Sequence, residues 1–148
     1  MSGFALSVAC DTNKLLIGDS KQIGGYVPII SAFDHKRCEI RAEGIGPVTL
    51  VDVRTHLLNE RTQHGLSYPE VIDTRGADIS FSPADIRQVA EILHVMTGDG
   101  PLGRTAVLVS NDLTYEMVRT LAEMVADVCE VKPFRHHEEA QEWLTARP

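Results

Sequence analysis

The chain has 148 residues, enough for one domain with a real core, and its 43% hydrophobic and 24% charged content is that of a folded rather than a disordered protein. A net charge of −7 and only 5% aromatic residues exclude a phosphate-binding groove and a base-stacking platform, so no nucleic-acid partner is expected. No apolar run reaches the length of a transmembrane helix, and "FALSVAC" has neither the preceding positive charge nor the length of a signal core.

Residues 1–26 read as an N-terminal extension, either a hairpin around "DTNK" or a loosely held segment, and "KQIGGYVP" punctuates rather than builds. The regular domain is placed at residues 27–148. "VPIISAF-DHK-RCEIRAEG" predicts two strands joined by a short polar turn. "TLVDVRTHLLNERTQ" predicts a helix with Leu50, Val53, Leu57 and Leu58 on one stripe, started by Thr49 and Asp52 at capping-box spacing. "PEVIDTR" reads as a short strand. "SPADIRQVAEILHVM" reads as a helix burying Ile86, Val89, Ala90, Leu93 and Met96. "RTAVLVSND" carries the apolar run Ala106 to Val109, expected of a central strand covered on both faces. A helix with the stripe Leu113, Met117, Leu121 and Val125 follows. "CEVKPF" is an edge strand, because Pro133 cannot donate to a ladder. "EEAQEWL" is a closing helix docked by Trp143 and Leu144. The order is α/β, with a predominantly parallel sheet of about five strands in sequential β-α turns.

Chemical motifs are sparse. "GDGPLG" matches G-x-G-x-x-G literally, but it follows a helix and precedes a strand, the reverse of a dinucleotide-binding turn. Gly98 is read instead as the left-handed residue that ends the preceding helix. His136 and His137 are adjacent and so point apart, and no H-E-x-x-H or cysteine cluster accompanies them, so no metal or other cofactor is expected. Cys10, Cys38 and Cys129 are far apart and odd in number, the pattern of a reduced, cytoplasmic protein without a disulfide framework. No nucleophile elbow occurs, and nothing demands an enzyme. In a parallel sheet the carboxyl ends of the strands meet ligands and partners. Here those ends carry Asp73, Thr74 and Arg75, then Ser110, Asn111 and Asp112, then Arg135 and His136, with Ser80 and Ser82 in the loop entering the next helix. A single polar rim is therefore expected. Ser82 also has a sufficient local role as the cap of that helix, with Asp85 reaching back and Pro83 at the first helical position.

The strand "EVIDTRG", the loop "ADISFSPADI", the strand "RTAVLVSND" and the ending "VKPFRHHEEAQEWL", in this order over about residues 27 to 145, resemble the SpoIIAA-like family of small bacterial proteins. That family has the STAS fold of anti-sigma-factor antagonists and is also likened to lipid-binding CRAL-TRIO (Sec14) domains. The resemblance implies a predominantly parallel sheet and a non-enzymatic role in binding a protein partner or a second copy of the chain. The alternative it implies is a carrier or sensor of a small apolar, lipid-like ligand, with peripheral membrane contact, for which Leu57, Leu58, Leu93 and Met96 would line the pocket. In antagonist STAS domains the phosphorylated serine sits in a motif like Asp-Ser-Ser-Gly-Leu. At the matching place this chain keeps Asp78 but has Ile79 for the first serine and no Gly-Leu, with Ser80 and Ser82 close by.

Overall fold

The computed structural model describes residues 27–146; the expectations for residues 1–26 lie outside this range. The first two strands, β1 (Ile29–Asp34) and β2 (Glu39–Val48), form an antiparallel hairpin in register Phe33↔Ile40. Its turn is held by the Asp34 carboxylate, which accepts from the amides of Lys36 and Arg37, while Cys38 takes the left-handed conformation at φ 53°. Three β-α turns follow: α1 (Leu50–Thr62), β3 (Glu70–Ile79), α2 (Pro83–Met96), β4 (Thr105–Leu108), α3 (Asp112–Met124) and β5 (Val131–Phe134), and α4 (His137–Thr145) closes the chain. The five strands lie in the order β1-β2-β3-β4-β5, parallel from β2 onward. Pro133 stands on the edge strand, where its missing N–H leaves no inner ladder bond unmade.

The two faces of the sheet bury different clusters, as a period-two alternation requires. On one, Val71, Ala106, Leu108 and Phe134 pack beneath α4 through Ala140, Trp143 and Leu144. On the other, Val107 and Val109 meet Val118 of α3. Above this second face, Leu57 of α1, Val89, Ala90, Leu93 and Met96 of α2, and Val125 and Cys129 after α3 form the main core. The inner strand β4 is therefore covered on both sides, and Ala106, Leu108 and the following Val109 are at most 1% exposed.

Both predicted helix starts form as reciprocal caps. The Asp52 amide donates to Thr49 Oγ1 at 3.3 Å while the Thr49 amide donates to Asp52 Oδ2 at 2.8 Å. The Asp85 amide donates to Ser82 Oγ at 3.1 Å, and the Ser82 amide to Asp85 Oδ2 at 2.9 Å. Four expectations are corrected. The strand begun by "PEVIDTR" runs on to Ile79, because Gly76 to Ile79 continue the ladder with Ile45 to Val48 past a register shift at Glu43. The left-handed glycine after α2 is Gly100, at φ 122°, since Thr97–Asp99 first tighten into a 3₁₀ turn around Gly98. On α3 Thr114 and Val118 are buried and Leu113 is 72% exposed, whereas Leu121 and, just past the helix, Val125 reach the main core as expected. Cys38 is disulfide-bonded, whereas Cys129 is free and buried. An odd cysteine count rules out complete pairing but not one bridge. No helix among the described residues is long and apolar enough to cross a membrane.

Candidate functional site

Two groups of polar side chains are assembled by this fold. The first is at the carboxyl ends of β3, β4 and β5. There Asp73 accepts from its neighbour Arg75 through both carboxylate oxygens, at 2.9 Å each, and this pairing holds the Asp73 carboxyl below its ordinary range. The Thr74 hydroxyl donates to the Leu108 carbonyl at 2.7 Å, tying the end of β3 to that of β4. Arg135, just beyond β5, donates to Asp112 at the start of α3 at 2.5 Å and lies 4.8 Å over the Tyr115 ring. Ser110 and Asn111 are exposed beside them, and Asn111 Oδ1 accepts the Thr114 amide as the cap of α3. The rim is thus an open surface whose charges are already matched.

Asp78, Ser80 and Ser82 do not complete it. The ladder between β3 and β4 ends at Asp73↔Leu108, while β3 continues against β2 for six more residues. At roughly 3.3 Å per residue that overshoot is on the order of 20 Å. It carries Asp78, Ser80 and Ser82 past the ends of β4 and β5, and the expected single rim is divided.

The second group is buried and was not anticipated from the sequence. Residues 53, 56, 57 and 60 share one face of α1, and on that face His56 and Glu60 alternate with Val53 and Leu57. Glu70, the first residue of β3, points at them from the sheet. His56, Glu60 and Glu70 are 6%, 4% and 3% exposed. The imidazole Nε2 donates to Glu70 Oε2 at 2.7 Å, and Nδ1 lies 3.1 Å from the Ser31 hydroxyl of β1. Glu60 Oε2 is 2.7 Å from the same Nε2 but away from its N–H direction, and this buried oxygen has no hydrogen-bond partner. Burial opposes the imidazolium, but Glu70 and Glu60 outweigh it and hold His56 well above the usual imidazole range. Burial, then repulsion from Glu70, drives Glu60 well above the usual carboxyl range. Burial also pushes Glu70 up, yet His56 overcomes it and keeps Glu70 below that range. The three groups are thus coupled: His56 and Glu70 favour each other's charged forms, while Glu70 and burial disfavour the charged form of Glu60. A second small network adjoins it: His35 bonds the Tyr68 hydroxyl at 2.7 Å and approaches Gln63 at 3.4 Å.

His56, Glu60 and Glu70 line a partly open cavity of about 110 Å³ between the helices and the sheet. Of the four residues proposed for an apolar pocket, Leu57 and Leu93 line this cavity. Leu58 and Met96 instead line an open groove of about 350 Å³ on the outside of α1 and α2, together with Arg54 and Val95. Cys129 also faces the cavity, and burial raises its thiol to about 11, which leaves it protonated and unreactive near neutrality.

No family model matches the chain, and no curated protein does. A solved structure does: an uncharacterized protein of the DUF3478 family with a SpoIIAA-like fold from Shewanella loihica PV-4 superposes with a TM-score of 0.54, covering 83% of this chain and 98% of that one at 19% identity. The chain has a SpoIIAA-like fold. This agrees with the element order derived from the sequence, and at this identity the likeness extends to the fold alone. Within the SpoIIAA-like fold, the stretch matching the antagonist switch position is divided by structure. Asp78 and Ile79 belong to β3, Ser80 is in the connection, and Ser82 is engaged as the cap of α2.

Proposed function

We propose that this chain is a non-enzymatic SpoIIAA-like binding domain that meets a protein partner, or a second copy of itself, at the carboxyl ends of β3, β4 and β5. The observation that carries this reading is the convergence of the Asp73–Arg75 and Asp112–Arg135 pairs, with Ser110 and Asn111, on an open surface at one end of the sheet. An exposed, polar surface with an arginine stacked on an aromatic ring suits a macromolecular face.

The lipid-carrier alternative fits the geometry less well. Pockets for drug-sized ligands measure about 300–1,000 Å³, and the partly open cavity, at about 110 Å³, holds only a few atoms. The larger groove beside Leu58 and Val95 is open rather than enclosing. The deciding experiment is affinity purification from the native host with the wild-type chain, an R75A/R135A variant and an R87A control on the exposed outer face of α2. The double variant should lose a stoichiometric partner, or its own dimer by sedimentation, and R87A should keep it. Retention of the same partner or dimer by R75A/R135A overturns the reading. A lipid-sized mass on the purified chain in native mass spectrometry would instead establish the carrier.

A further inference from the structure

The cluster of His56, Glu60 and Glu70 lies away from the proposed partner surface and has no part in it. One ligand atom from each residue falls within 4.8 Å of the others. The three are held by rigid elements: an i, i+4 pair on one helix face and the first residue of an inner strand. The Ser31 hydroxyl can accept a hydrogen bond from Nδ1–H, which fixes the tautomer that leaves the Nε2 lone pair free to bind a metal. Two buried glutamates around a neutral imidazole carry a charge of −2, which a single divalent cation cancels. As a carboxylate, Glu60 leaves Oε2 buried without a hydrogen-bond partner, an orphaned oxygen that a bound cation would satisfy.

We propose that His56, Glu60 and Glu70 form a binding site for one divalent first-row transition-metal ion, with zinc as the best fit. One imidazole nitrogen and two carboxylate oxygens are borderline-to-hard donors, suited to zinc and its neighbours rather than to copper(I) or an iron–sulfur cluster. The only described free thiol lining the cavity is engaged elsewhere, Cys129 donating to the Gly103 carbonyl at 3.4 Å. Three protein ligands leave a tetrahedral ion one open position. The cavity of about 110 Å³ has room for the ion and a bound water, a water's share of liquid volume being about 30 Å³. Metal–ligand bonds of about 2.0–2.2 Å place tetrahedral donors about 3.4 Å apart. The present separations of 2.7 Å between Nε2 and each carboxylate would therefore open by about 0.7 Å, within reach of side-chain rotation.

The test uses the full chain, stripped with chelator and dialysed. Titration with Zn²⁺ should show one ion per chain and raise the melting temperature, and Co²⁺ should give visible d–d absorption of a low-symmetry site. E60Q and E70Q, which keep side-chain volume and a polar amide, should each weaken Zn²⁺ binding at least tenfold. An H136A/H137A variant should bind as the wild type does. Binding absent at micromolar Zn²⁺, unchanged in E60Q and E70Q, or lost in H136A/H137A overturns the proposal. If either glutamine variant fails to fold by circular dichroism, the wild type decides the matter. Of the six histidine side chains, His56 must be the one whose NMR signals change in proportion to one equivalent of Zn²⁺, and a change confined to other histidines overturns the site.

Discussion

Ser82 shows how much one side chain can be explained locally. Its hydroxyl satisfies one of the unpaired amides at the start of α2, and Asp85 satisfies another in return. A phosphate on that oxygen would have to abandon the cap geometry or re-form it around a larger anion. Ser82→Ala should therefore lower stability by about 1 kcal/mol in urea denaturation, and Ser82→Asp, which can still cap, should recover most of that loss. A loss far below this in Ser82→Ala would mean the cap contributes little, and the serine would need another explanation. His56 is the opposite case. Nothing in "RTHLLNERT" signals that a histidine and a glutamate face the core, except that they fall on the stripe set by Val53 and Leu57. The helical period places them there, but only the arrival of Glu70 and Ser31 gives them partners.

At the scale of elements, one close approach fixes how the α2–β4 connection passes over the sheet. A Cβ at Gly103 would sit 2.2 Å from the Tyr68 carbonyl oxygen and 2.6 Å from its carbon, both backbone atoms that cannot step aside alone. The Gly103 amide meanwhile donates to the Leu66 carbonyl at 2.9 Å, holding the two chain segments together. Gly103→Ala must push them apart and should cost on the order of 1–3 kcal/mol, read from thermal unfolding. An unchanged melting temperature would show that the crossing can widen freely. The same glycine is the last of the apparent nucleotide fingerprint, so its role in "GDGPLG" is steric contact with another loop. Nearby, Arg104 ties α4 down, donating to the Trp143 carbonyl at 2.7 Å and to the Ala146 carbonyl at 3.1 Å, with its guanidinium 5.1 Å over the indole. Such a tie joins residues about forty positions apart and has no local sequence signature.

For the whole molecule, the buried cluster makes stability depend on pH in a definite direction. Glu60 is raised from an ordinary value of 4.5 and His56 from 6.5, so the folded chain holds protons that the unfolded chain releases as pH rises through those values. Stability from these two groups is fully present below their unfolded pKa values and is lost progressively on the alkaline side. Glu70 is lowered from 4.5, and its contribution is present above that value and lost as pH falls through the lower folded one. The metal-free chain should accordingly be most stable near pH 4.5–5 and weaken steadily towards pH 9. E60Q, with no proton to lose at that position, should weaken less over the same range. A melting temperature that rises from pH 5 to pH 8 in the wild type would contradict the cluster as described.

The sequence by itself determined the order of elements, both capping boxes, the doubly covered strand at Ala106 to Val109 and the edge position of Pro133. Each of these follows from local rules: hydrophobic period, side-chain capping and the missing proline N–H. The same rules fell short where a neighbour decides. How far β3 extends depends on β2 continuing beside it. Whether Leu58 faces a core or solvent depends on how α1 and α2 meet. Above all, the tertiary structure alone brought together His56, Glu60 and Glu70, because the glutamate is supplied from a different element. Burial in one small cavity is what turns three ordinary polar residues into a charge-coupled site.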